Sequence, residues 1–97
     1  MLYMIIETFD AGADAVYARF RDKGRMLPAG LEYVDSWVSE DMGKCFQLMS
    51  SDDPDLIGAW MSHWRDIVSF EVVPVLPSNM AQQRISAAGQ VSTRPGS

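Results

Sequence analysis

The chain has 97 residues, 13 acidic against 8 basic side chains, a formal charge of -5 and a single cysteine. That length suits one domain with a modest core, which association with a second copy would enlarge. The acidity removes nucleic acid and anionic membrane surfaces from the expected partners, since neither attracts a protein of this charge. Cys45 alone can form no internal disulfide, and the N-terminus lacks a signal-peptide pattern, so a reducing, cytoplasmic setting is expected.

Leu2 to Phe9, LYMIIETF, is rich in branched and aromatic residues on both sides, which predicts a central strand. Its apolar run is far too short to span a bilayer and is interrupted by Glu7. From Ala13 onward, Val16, Tyr17, Phe20 and Leu27 share a helical face. Asp10 and Asp14 lie near the start of that helix and Arg21, Lys23 and Arg25 at its end, as the helix dipole favours, with Gly24 as the C-terminal cap. The segment from Arg25 to Gly30 is a connector, because Pro28 and Gly30 oppose both helix and strand.

Leu31 to Val38 alternates as a strand, with Leu31, Tyr33, Asp35 and Trp37 expected on one face and Glu32, Val34, Ser36 and Val38 on the other. Ser39 to Gly43 reads as a hairpin turn in which Gly43 takes positive φ, and Lys44 to Met49 as the return strand. Asp53 and Pro54 suit the N-cap and first position of a second helix. Along it Leu56, Ile57, Trp60, Met61, Trp64, Ile67 and Val68 make one apolar stripe. Phe70 to Leu76 then favours a strand that Pro74 confines to a sheet edge. The domain is expected to occupy residues 1–77. Residues 78–97, rich in Ser, Gln, Ala and Gly, are expected to form a flexible tail in which Met80 to Ala88 can make a transient helix.

The order β-α-β-β-α-β predicts an α+β, ferredoxin-like fold: a four-stranded antiparallel sheet with two helices on one face. With Met4, Ile6, Val34, Phe46, Leu48, Phe70 and Val72 assigned to the helices, pleat alternation sends Tyr3, Ile5, Tyr33, Trp37, Met49, Val73 and Val75 to the bare side. So apolar a surface predicts a homodimer with its two sheets face to face. Glu7, Asp35, Cys45, Gln47 and Glu71 fall on the same predicted face, and an apolar cavity with a few polar groups is the general form of a small-ligand site.

The functional expectation is therefore a small apolar or aromatic molecule held between the sheet and its dimer mate. Tyr33 and Trp37 would line the site, Gln47 would orient the ligand, and Glu7 or His63 would move a proton. Against this stand plainer assignments: carboxylates reaching solvent, rings filling a dimer contact, His63 at the surface, Cys45 an inert buried thiol, and a non-catalytic dimer with a closed interface. Arg19, Arg21 and Arg25 can bind an anion, or can form a solvated helix face. The sequence contains no dinucleotide fingerprint, phosphate-binding loop, nucleophile elbow or metal-ligand cluster, so no cofactor or metal is expected.

Several pieces together resemble a known family. Gly24-Arg-Met-Leu-Pro-Ala-Gly-Leu, Tyr33 with Ser36-Trp37, Cys45-Phe-Gln, Trp60 with Trp64, and Phe70-Glu-Val-Val-Pro-Val-Leu are similar to short bacterial proteins grouped as a domain of unknown function, DUF3303. The resemblance runs from Met1 to about Pro77 and implies a dimeric α+β barrel. At the level of fold that architecture is shared by cofactor-independent monooxygenases, haem-degrading enzymes and muconolactone-type isomerases. The haem-degrading type resembles a set of strand-one Asn, helical His and Trp. Strand one here carries Glu7 and Thr8, so that activity is not carried over.

Overall fold

In the computed structural model, which describes residues 1–87, the branched and aromatic run Leu2–Phe9 forms strand β1 at the centre of the sheet. Helix α1, Ala13–Lys23, follows and ends on Gly24, whose φ of 67° and N–H bond to the Phe20 carbonyl make the expected cap. After the connector come β2, Glu32–Val38, and β3, Lys44–Ser50. Helix α2 spans Asp55–Met61 and β4 spans Val68–Val75. The strand order is β2-β3-β1-β4 with every neighbouring pair antiparallel, the ferredoxin-like arrangement. Pro74 accordingly sits on an edge strand, where a missing N–H breaks no ladder on its outer side.

Helix α2 starts as its sequence predicts, with Pro54 in helical geometry and the Asp53 carboxylate accepting the Asp55 N–H at 3.0 Å. It ends earlier. Past Met61 the chain tightens through i to i+3 bonds, Trp64 N–H to the Met61 carbonyl and Ile67 N–H to the Trp64 carbonyl, before β4 begins at Val68. The apolar stripe nevertheless stays inward: Ile57, Trp60, Trp64 and Val68 are all buried. A third helix, α3, occupies Ser78–Ala87 with no buried residue. The rest of the expected tail, residues 88–97, lies outside the described residues.

Two local expectations are corrected. Gly43 does not take positive φ; Met42 does, at 64°, in a turn held by the Asp41 carboxylate, which accepts both the Gly43 N–H and the Ser39 hydroxyl. Strand β2 does not alternate cleanly either. A register shift between Tyr33 and Asp35 inserts Val34 as an extra residue, so Tyr33 and Ser36 share a face while Asp35 and Trp37 turn to the other.

The largest correction concerns the two faces of the sheet. Tyr3, Ile5, Glu7 and Phe9 point toward the helices with Cys45, Gln47 and Met49 opposite them on β3, and all seven are buried. Met4, Ile6, Phe46 and Leu48 lie on the bare side with Trp37, Val73 and Val75. The assignment from sequence reversed β1 and β3 because both of their faces are apolar, leaving period-2 contrast too weak to fix the choice. The core thus fills the space between the sheet and the helices, with Val16, Leu31, Ile57, Trp60, Trp64 and Val68 closing over Tyr3, Ile5, Phe9 and Met49.

Candidate functional site

A pocket of about 170 Å3 opens between the sheet and its own helices. Strand β1 contributes Glu7 and Phe9 to its wall, β2 Ser36 and Val38, β3 Cys45 and Gln47, and helix α1 Val16, Tyr17 and Phe20. Trp60 and Trp64 form its far side, and Arg25 enters from the connector. Phe20 and Tyr17 are 38% and 36% exposed, which places them at the mouth.

The local backbone explains why Arg25 is there. Its carbonyl accepts the indole N–H groups of both Trp60, at 2.9 Å, and Trp64, at 3.2 Å. The chain leaves this anchor through Met26, whose φ of 60° is unusual for a side-chain-bearing residue. Two tryptophans four residues apart, one in α2 and one in the turn after it, therefore clamp one peptide unit and bring the Arg25 side chain over the sheet. Its guanidinium lies 3.7 Å from the Tyr33 ring centre and 5.1 Å from that of Phe20. The Tyr33 hydroxyl and Ser36 hydroxyl are hydrogen-bonded at 2.6 Å, which fixes the ring under the arginine.

From Arg25 a polar chain runs to the floor. Arg25 Nε donates to Gln47 Oε1 at 3.1 Å, and Gln47 Nε2 donates to Glu7 Oε2 at 2.9 Å. The amide of Gln47 thus has its orientation set from both ends. Glu7 is only 7% exposed. Burial pushes its carboxyl up to about 7, against a smaller lowering by the positive charge of Arg25. A carboxyl in this range gives and takes protons near neutrality. Cys45, paired with Glu7 across the ladder, is driven the other way as a nucleophile. Burial first, and the negative charge of Glu7 second, push its thiol up to about 12.

Of the residues singled out from sequence, Glu7, Gln47 and Cys45 come together in the pocket, with Tyr33 behind Arg25. Trp37 is on the opposite face of the sheet and 52% exposed. Asp35 and Glu71 also lie on that opposite side. The side chain of His63 is exposed and outside the pocket lining; its backbone alone is engaged, the carbonyl accepting from Arg19 Nη1 at 3.0 Å and the N–H donating to the Trp60 carbonyl at 3.1 Å. The arginines of the first helix end separate as well. Arg19 makes two bonds to the Asp66 carboxylate, at 2.6 and 2.7 Å, tying α1 to the turn before β4, and holds that carboxyl below its ordinary range. Arg21 is exposed, and Arg25 alone turns inward. Among the described residues, no group of three or more His, Cys, Asp or Glu side chains gathers in a way that could hold a metal ion.

The sequence reading missed Phe20, Tyr17 and the two indoles as pocket walls.

Fold and site together define a ferredoxin-like α+β domain with an ionisable pocket that opens between the sheet and its own helices. The model of the family described as Domain of unknown function (DUF3303) matches residues 1–89, and the chain belongs to that family. No curated protein and no solved structure matches the chain. Among the described residues, no helix is long and apolar enough to cross a membrane.

Proposed function

We propose that the chain binds a small, largely apolar ring compound in the helix-side pocket, and that Glu7 exchanges a proton with it without a cofactor. The observation that carries this reading is a carboxyl group buried among aromatic walls and poised to ionise near pH 7. A pocket of about 170 Å3 is comparable to the roughly 150 Å3 apolar cavity that holds one benzene-sized molecule. Gln47 orients the ligand, and Phe20 and Tyr17 close over it. Removal of a proton from an activated C–H or O–H begins both cofactor-free isomerisation and cofactor-free oxygenation, so the reading covers both classes.

The reading also includes a homodimer. What supports it is the bare side of the sheet, where Met4, Ile6, Phe46 and Leu48 are half-buried and Trp37 is largely exposed with no layer above them among the described residues. A second copy supplies that layer, with the ligand sites on the outer sides of the paired sheets. A single buried free thiol is the cysteine usage of a reducing compartment and supports a cytoplasmic location.

A non-catalytic dimer is the second reading. It is favoured by the complete pairing of buried side-chain nitrogen and oxygen atoms among the described residues, as a closed polar core requires. Thermal-shift screening with phenols, quinones and aromatic acids separates the two, because a ligand of the folded state raises the melting temperature. The expected hits lose their shift in Phe20→Ala and keep it in His63→Ala. A screen without hits, combined with unchanged behaviour of Glu7→Gln and Tyr33→Ala, would leave only the non-catalytic reading.

A further inference from the structure

We infer that the pocket selects an anionic ligand, a ring compound bearing one carboxylate, and that the two terminal amino groups of Arg25 are its anchor; this rests on the pocket being a ligand site. The guanidinium is fixed but not consumed. Its Nε is engaged by Gln47 Oε1 and its plane is packed against Tyr33, while Nη1 and Nη2 have no hydrogen-bond acceptor among the described residues. No carboxylate forms an ion pair with it among those residues either, although Arg19, six positions earlier, has such a pair. An arginine held in place with its fork free is the arrangement that takes a carboxylate through two parallel bonds.

Charge in the pocket points the same way. The groups that titrate or carry charge in its lining are Arg25 from the connector, Glu7 from β1, Cys45 from β3 and Tyr17 from α1. Tyr33 of β2 lies behind the arginine, α2 and the turn after it offer only Trp60 and Trp64, and β4 faces Glu7 with Phe70. With Glu7 protonated, the pocket therefore holds one unbalanced positive charge in apolar surroundings. A monoanion neutralises it. The Gln47 amide bridges Arg25 to Glu7, so a ligand anchored at the guanidinium extends its ring along the aromatic wall toward the Glu7 carboxyl.

The pH dependence follows from the same pair. Ionised Glu7 repels the ligand carboxylate, so binding weakens as pH rises through the range in which Glu7 loses its proton, and complex formation takes up a proton.

Calorimetry on the full chain with benzoate, phenylacetate and cinnamate, each against its neutral amide, tests the inference. At least one acid should bind about tenfold or more tightly than its amide. That preference should vanish in Arg25→Met and survive in part in Arg25→Lys. The backbone carbonyl clamped by the tryptophans is present in both variants, and circular dichroism checks that each is folded. For the wild-type chain, which needs no variant, the acid should bind severalfold more tightly at about pH 6 than at about pH 8. Amides that bind as well as or better than the acids would overturn the anionic anchor while leaving the pocket as a ligand site. Absence of binding by all six compounds would overturn both.

Discussion

The chemistry proposed for the chain rests on one side chain, the carboxyl of Glu7, and its environment has a measurable consequence for stability. Burial raises Glu7 from 4.5 to about 7. The folded state therefore holds the proton more tightly than the unfolded state, and its advantage is complete below about pH 4.5 and lost as pH rises to about 7. The ionised carboxylate costs on the order of 3 kcal/mol at most. Glu7→Gln keeps an oxygen for the Gln47 amide without the charge. It should match the wild type in urea denaturation at about pH 4, and exceed it by roughly 1–3 kcal/mol at about pH 8. Equal stability of the two proteins at both pH values would contradict the assignment. Cys45 should report the same surroundings differently. A thiol pushed up to about 12 and buried should resist a disulfide reagent in the folded chain and react on unfolding; fast labelling of the native protein would show an open pocket floor instead.

At the scale of elements, what the sequence made legible was those boundaries that a single residue's backbone chemistry sets. Gly24 caps α1, Asp53 and Pro54 start α2, and Pro74 keeps β4 at the edge, each through a backbone property of the residue itself. Features that depend on long-range partners were not legible. The bulge at Val34 carries no glycine to announce it, and it separates Tyr33 from Trp37, which simple alternation puts together. The early end of α2 is equally hidden, because its apolar stripe continues unbroken through the turns to Val68. The clamp of Trp60 and Trp64 on the Arg25 carbonyl joins positions 35 and 39 residues apart, and no local pattern encodes it. It makes a distinct prediction. Loss of one indole N–H leaves the carbonyl satisfied by the other, whereas loss of both strands a part-buried acceptor, at a cost of about 1–3 kcal/mol. Substituting each tryptophan by 1-methyltryptophan would isolate this bond, and the doubly substituted chain should be less stable than the sum of the single effects requires. Simple additivity in urea denaturation would contradict the shared-acceptor arrangement.

For the whole molecule, the sheet is apolar on both sides, and that fact accounts for what the sequence could and could not decide. It correctly implies that two helices cannot cover all the apolar surface. It could not say which set of residues they cover, because Tyr3, Ile5 and Met49 are no more apolar than Met4, Ile6 and Leu48. Glu7, Cys45 and Gln47 moved with the reversal, so the proposed ligand site lies under the helices and the proposed dimer contact on the far side. The two are therefore separable by substitution. Phe46→Glu or Met4→Glu should yield a monomer by light scattering at micromolar concentration while leaving ligand-induced stabilisation in place. A wild-type chain that is already monomeric at that concentration would count against the dimer.

The most direct measurement of the central claim is the ionisation of Glu7 itself, followed by carbon-detected NMR of its side-chain carboxyl across the pH range, with and without benzoate. A midpoint near 7 is expected in the free protein, and a higher one when benzoate is bound. A carboxyl that titrates in the ordinary glutamate range, near 4.5, and does not respond to benzoate would contradict that claim.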